Sequence, residues 1–345
     1  MKFLVLSIRY GLLILTVLLI SIVIRIMAFQ IYSIPSSSME NSLIPGDKVL
    51  VNKLAFGVYS LHLADAAPSI SGLNELWLTN NISNNTQYQN SKLFEGYTRI
   101  TVGDIVVFKS DHPDSVTYIK RCLGMPGKKV VLSMGSPMYS GGFDWNSYLL
   151  LSVNVWSSKP YEIKDTLNDM FRMSNIRKKD FSAVSILTVE SKMSFEQIED
   201  LVELAIVDSI TVSLDSDLTQ SSYLKSIDSS WTIYDFGPIL VPQRDMIIKL
   251  NKKTFSMYAQ TIRKFEKAQI VEKNSSYYLD GEQICSYRFK KNYYFLIGDN
   301  LAKSIDSRYF GFIPEENIIG RADMILFSYS STGFKRDRFF LGLRH

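Results

Sequence analysis

Cysteine and histidine are scarce. Two cysteines, Cys122 and Cys285, in 345 residues cannot build a disulfide framework or a four-sulfur metal site. The three histidines, His62, His112 and His345, are scattered and supply neither an HExxH pair nor a Ser-His-Asp set. Composition therefore disfavours a metallopeptidase and a histidine-based hydrolase, and it calls for no metal and no cofactor. Charge of one sign is not in excess either. Lys+Arg 38 against Asp+Glu 34 leaves +4, too little over this length for a nucleic-acid binder. With 46% hydrophobic and 21% charged residues, disorder is excluded as the main state.

The apolar residues are concentrated. Residues 10–24, YGLLILTVLLISIVI, carry no charge, and extension to Tyr32 adds only Arg25. A helix over 10–32 would be roughly 34 Å long, enough for a bilayer core of ~30 Å. Arg25 would lie near the far end, where its stem can snorkel. Lys2 and Arg9 favour a cytoplasmic N-terminus and a translocated C-terminal part. The length favours an uncleaved single-span anchor over a cleavable signal peptide. An extracytoplasmic location would permit a Cys122–Cys285 disulfide, and two free thiols fit the residues equally well.

Beyond the anchor, strands dominate. Segments 47–56, 104–109, 117–124, 128–133, 293–299 and 322–329 are rich in β-branched and aromatic residues. Gly, Pro and Asp punctuate them. The pattern predicts a mainly β fold. Two stretches read as insertions, 60–97 and 134–285. In the second, Ser194-Phe195-Glu196-Gln197 has the form of a capping box, followed at helical spacing by Ile198, Leu201, Val202 and Ala205. Asp165 could cap another helix bearing Leu167, Met170 and Phe171. The tail GFKRDRFFLGLRH fits an interfacial membrane contact or a terminal strand equally.

Three segments carry chemistry: SIPSSSMENSLIPGDKVLVNK (33–53), GDIVVFKSDHPDSVTYIKRCLGMPG (103–127) and GDNLAKSIDSRYFGF (298–312). A serine hydroxyl needs a base. No histidine is well placed, but Lys120 lies in an apolar strand pattern. An ordinary lysine is neutral in only about 0.04% of molecules at pH 7, so its pKa must fall by roughly 3 units to act as base. Burial among apolar groups can lower it that far. A Ser-Lys dyad is thus coherent chemistry. From residue types alone, surface decoration would account for such residues as well.

These segments, in this order after an apolar helix, resemble the bacterial type I signal peptidases, membrane-anchored Ser-Lys endopeptidases of the secretion pathway. The resemblance rests on the anchor and on 33–57, 102–130 and 292–327. It implies a β catalytic domain over 33–133 and 286–345, with 134–285 as an inserted α+β subdomain. It also implies Ser38 as nucleophile, Lys120 as general base, and an oxyanion hole from the Ser36 hydroxyl and the Ser38 N–H. Ser304 would orient the lysine, with Asp299, Asp306 and Arg308 in support. Adjacent Ser37 points elsewhere if that segment is extended. Shallow pockets for small residues would involve Ile34, Pro35, Met39, Leu43, Tyr118 and Ile119, with Tyr32 and Val107 nearer the second pocket.

Implied partners are the signal peptides of exported preproteins, cleaved after Ala-x-Ala-like sites, the lipid bilayer, and the secretion translocon. The implied location is the cytoplasmic membrane with the catalytic part outside. A dedicated peptidase for one exported substrate and a catalytically silent scaffold are the competing readings. Asn41-Ser42, Leu301 and Phe56 depart from the family's common residues.

Overall fold

The computed structural model describes residues 2–59, 92–110, 116–133, 135–138, 143–157, 177–180, 187–204, 207–212, 223–330 and 333–343. Helix α1 (Lys2–Met27) runs 26 residues. It ends earlier than the sequence predicts, because Phe29–Ser33 is a strand. There exposed and half-buried residues alternate, and the segment pairs antiparallel with 48–52. Period-two alternation suits a sheet edge better than a further turn of helix. The side chains described along α1 that are large and apolar, Tyr10 to Ile24, are exposed. Among the described residues, which leave gaps within α1, no helix is long and apolar enough to cross a membrane.

The principal sheet contains, in chain order, β1 (Phe29–Ser33), β2 (Asp47–Asn52), β3 (Ile105–Lys109), β4 (Thr117–Gly124), β5 (Tyr293–Ile297), β6 (Ile313–Pro314) and β7 (Ile318–Ser330). Their spatial order is β1-β2-β7-β3-β4-β5-β6, all pairs antiparallel. Long β7 serves both neighbours by shifting register twice against β2 and once against β3. Such bulges bend and twist a strand.

β3 explains how one sheet separates two cores. Its first four residues are all buried. Ile105 and Val107 join Ile34, Met39, Leu43, Val49 and Val51 on one face. Val106 and Phe108 join Phe56, Cys122, Tyr294 and Leu296 on the other. A continuous apolar run is what a strand covered on both faces requires.

A third, larger core joins Leu123, Tyr293, Phe295 and Phe312 to residues of the 134–285 segment, among them Trp145, Leu149, Ile233 and Ile262. Within that segment a four-stranded sheet is built around Leu151–Ser157. Helix α2 (Phe195–Val202) begins at Ser194 with a complete reciprocal capping box, as its sequence predicts. Helix α3 (Lys252–Phe265) has an equivalent box from Asn251 and Thr254. The helix anticipated after Asp165 lies outside the described residues. So does most of 60–97, whose edges close as a hairpin of Gly57–Tyr59 with Lys92–Glu95. Cys122 is buried, Cys285 is exposed, and both are free thiols. The C-terminal tail lies against β7 through Gly333–Phe334 and Leu341–Gly342. It also sends Arg338 inward to Asp47 at 2.7 Å.

Candidate active site

Ser38 follows β1 in a tight turn rather than an extended segment. Glu40 N–H donates to Ser37 O at 3.1 Å, and Leu43 N–H to Met39 O at 2.8 Å. The turn corrects the alternation argument by which an extended segment would point Ser37 away. Met39 and Leu43 anchor it by sinking into the core. Arg338 donates to Ser42 O at 2.8 Å and ties down its exit.

Lys120 lies mid-strand in β4, opposite Val106, and its residue is 2% exposed. Its Nζ donates to Ser38 Oγ at 2.7 Å. Burial lowers its pKa from 10.5 to about 8. The carboxylates of Asp306 and Asp299 oppose that fall, and Arg308 adds to it. Burial prevails because desolvation penalises the ammonium directly, whereas both carboxylates are largely neutralised by arginines. Ser36 is exposed, and its hydroxyl donates to Ser38 Oγ at 3.4 Å.

Two buried ion pairs frame the pair of side chains. Arg121 Nε and Nη2 bond Asp299 Oδ1 and Oδ2, each at 2.7 Å. Ser42 Oγ donates to Asp299 Oδ2 at 2.5 Å. Phe143 and Tyr148 cover the guanidinium at 5.2 and 4.7 Å. Arg308 grips Asp306 through Nε and Nη2, both at 2.8 Å, and Gly298 N–H donates to Asp306 Oδ2 at 3.0 Å. Burial would raise the Asp306 pKa, but the Arg308 charge and these hydrogen bonds outweigh it and hold the carboxyl below its usual range.

Asp299, Asp306 and Arg308 are therefore fully buried structural groups, not a solvated turn. Ser304 is buried beside them, close enough to the Asp306 carboxylate to favour its ionised form. No partner of full hydrogen-bond geometry faces Ser304 Oγ among the described residues, and the orienting bond to Lys120 anticipated from sequence is not made.

The candidate pocket residues divide. Ile34, Met39, Leu43 and Val107 form a buried floor with Tyr32 and Ile119 half-buried against it. Pro35 is exposed. Tyr118 lies on the opposite face of β4, stacked on Phe108 at 5.7 Å and near Phe310 at 6.1 Å.

Sequence reasoning gave no role to Arg121, Ser42, Asn300 or Gly298. Asn300 N–H donates to Ser38 O at 3.1 Å, and its Nδ2 to Ser37 O at 3.1 Å. A Cβ on Gly298 would come within 2.4 Å of Ser38 O and 2.2 Å of Ser304 Oγ. The available signal was position: Arg121 adjoins Lys120, and Gly298 and Asn300 flank Asp299.

Comparison with known proteins identifies the family. The family model for signal peptidase, peptidase S26, matches residues 7–141 and 238–327. Signal peptidase I of Buchnera aphidicola subsp. Baizongia pistaciae is 25% identical over 314 residues, covering 90% of this chain and 73% of that protein. Signal peptidase I of Haemophilus influenzae is 23% identical over 335 residues, 95% of this chain and 73% of its own. The first matched segment contains the serine turn, Lys120 and Arg121, the second contains Asp299, Asp306 and Arg308, and with well over half of its length matched the chain belongs to the S26 signal peptidase family, as a bacterial type I signal peptidase that hydrolyses peptide bonds as a serine peptidase.

Proposed function

We propose that the protein removes N-terminal signal peptides from exported preproteins with Ser38 as nucleophile and Lys120 as general base. The 2.7 Å contact between Lys120 Nζ and Ser38 Oγ carries this reading. With a pKa of about 8, roughly a tenth of the lysine is neutral at pH 7, against about 0.03% for an unshifted one. The neutral amine accepts the Ser38 proton as Oγ attacks the scissile carbonyl carbon. The Ser36 hydroxyl and Ser38 N–H donate to the oxyanion, and such a donor contributes about 3–4 kcal/mol. Collapse breaks the C–N bond, and Lys120 returns the proton to the leaving amine. Water, deprotonated by the same lysine, then releases the acyl group from Ser38.

The substrate enters as an extended strand between the Ser36 segment and β4. Met39, Leu43 and Val107, buried with half-buried Ile119 and Tyr32 against them, form an apolar surface suited to small apolar side chains, which supports cleavage after Ala-x-Ala-like sites.

Residues 10–24, free of charge, support α1 as a membrane anchor with the catalytic part outside the cytoplasm. Exposed Phe29 and Ile31 on β1, and exposed Phe334, Phe339 and Phe340 in the C-terminal tail, support contact with the lipid interface. The deciding experiment is cleavage of a preprotein by detergent-solubilised enzyme. Ser38→Ala and Lys120→Ala should each abolish it with circular dichroism unchanged. Retained cleavage in either refutes the dyad.

A further inference from the structure

Among the described residues, Asn41 bonds the nucleophile turn directly to the 134–285 segment. Asn41 has φ 106°, a conformation that non-glycine residues adopt only at a cost. Its side chain shows what holds it there. Asn41 Nδ2 donates to Ser147 O at 2.7 Å and to Tyr148 O at 3.0 Å. Both acceptors are carbonyls, so the amide orientation is unambiguous.

The receiving segment is rigidly seated. Trp145 and Leu149 are buried in the large core. Ser147 Oγ donates to Asp144 Oδ2 at 2.7 Å and lies 3.0 Å from Glu196 Oε2 of α2, its single hydrogen serving one carboxylate at a time. Leu150 N–H donates to Asp299 O at 2.7 Å, and Leu301 N–H to Leu150 O at 3.1 Å. The same short segment thus grips the Ser38 turn directly through Asn41, and again through Asp299 and Asn300.

We propose that Asn41 is a positioning residue for Ser38, and that residues 143–150 make the 134–285 segment part of the catalytic scaffold. The proposal rests on Ser38 as the nucleophile. Without the two amide bonds the Ser38 turn loses its direct tie to residues 143–150, and Ser38 Oγ drifts from Lys120. Misplacement on the order of 1 Å costs roughly a hundredfold in rate.

Asn41→Gly isolates the effect, because glycine accepts positive φ while removing both donors. Cleavage by this variant should show kcat lower by about tenfold or more, KM changed by less than about twofold, and an unfolding temperature no lower than the parent's. Asn41→Asp, which presents a carboxylate to two carbonyl oxygens, should fall further. Full kcat in Asn41→Gly, or a loss that only tracks a lowered unfolding temperature, overturns the proposal. A crystal structure of Asn41→Gly measures the Ser38–Lys120 spacing whether or not preproteins are cleaved. A spacing longer than the parent's supports the role, and an unchanged one overturns it. A parent enzyme that fails to cleave refutes the proposed function instead, with this measurement still deciding the positioning role.

Discussion

Replacing Lys120 by methionine should stabilise the protein while destroying its activity. The shift from 10.5 to about 8 arises because the folded state disfavours the ammonium. Between those values the unfolded chain binds more protons than the folded one, so folding stability gains as pH rises through the window. Below pH 8 the penalty is present in full. At 1.36 kcal/mol per unit it amounts to about 3 kcal/mol at pH 7, and it shrinks to about 1 kcal/mol at pH 10. Methionine has nearly the same length and volume as lysine, no charge, and leaves no large cavity.

Lys120→Met should therefore unfold roughly 4 °C higher than the parent at pH 7, with the gap mostly closed at pH 10. Thermal unfolding followed by circular dichroism in matched detergent reads this directly. A variant less stable than the parent at pH 7, or a gap that does not change with pH, would mean that burial has not lowered the lysine pKa. The argument for Lys120 as base would then fail with it.

Other outcomes follow from the same geometry. The parent kcat/KM should rise about tenfold from pH 7 to 9 and then level off, as one group titrates near 8. A rate still climbing at pH 10 would point to an unshifted lysine. Gly298→Ala should abolish cleavage, since its Cβ would meet Ser38 O at 2.4 Å, and backbone must move to accept it. Normal turnover in that variant would show the turn to be pliable. Asp299→Asn should destabilise by about 3–5 kcal/mol by leaving Arg121 buried without its charge partner. Urea midpoints measure this, and a loss below about 1 kcal/mol would contradict it.

The strands were legible because their signals are local. Ile105–Lys109 and Thr117–Gly124 lie within the segments that residue pattern selects. The capping box at Ser194 is likewise written in four consecutive residues. Ser38 and Lys120 could be paired only because whole motifs resemble a family. Nothing along the chain encodes that positions 82 residues apart meet at 2.7 Å. The end of α1 was misjudged because Phe29, Ile31 and Tyr32 are as apolar as the helix before them. Only pairing with β2 distinguishes them. Arg121 and Asn41 went unassigned for a similar reason. Their partners, Asp299 and the Ser147–Tyr148 carbonyls, are distant in sequence and partly backbone, and backbone acceptors leave no trace in residue identity.

The junction between α1 and β1 has a mechanical consequence. A single residue, Ala28, separates them, and its own groups are occupied: its N–H donates to Ile24 O at 2.7 Å and its carbonyl accepts from Lys53 N–H at 2.8 Å. There is no slack tether. With α1 embedded as proposed, the five residues of β1 hold the Ser38 turn within about 16 Å of the end of the helix. The nucleophile would then work at a set altitude above the bilayer, and it would select scissile bonds partly by how far they emerge from the lipid. A flexible insertion at Ala28 would leave the chemistry intact and blur that ruler.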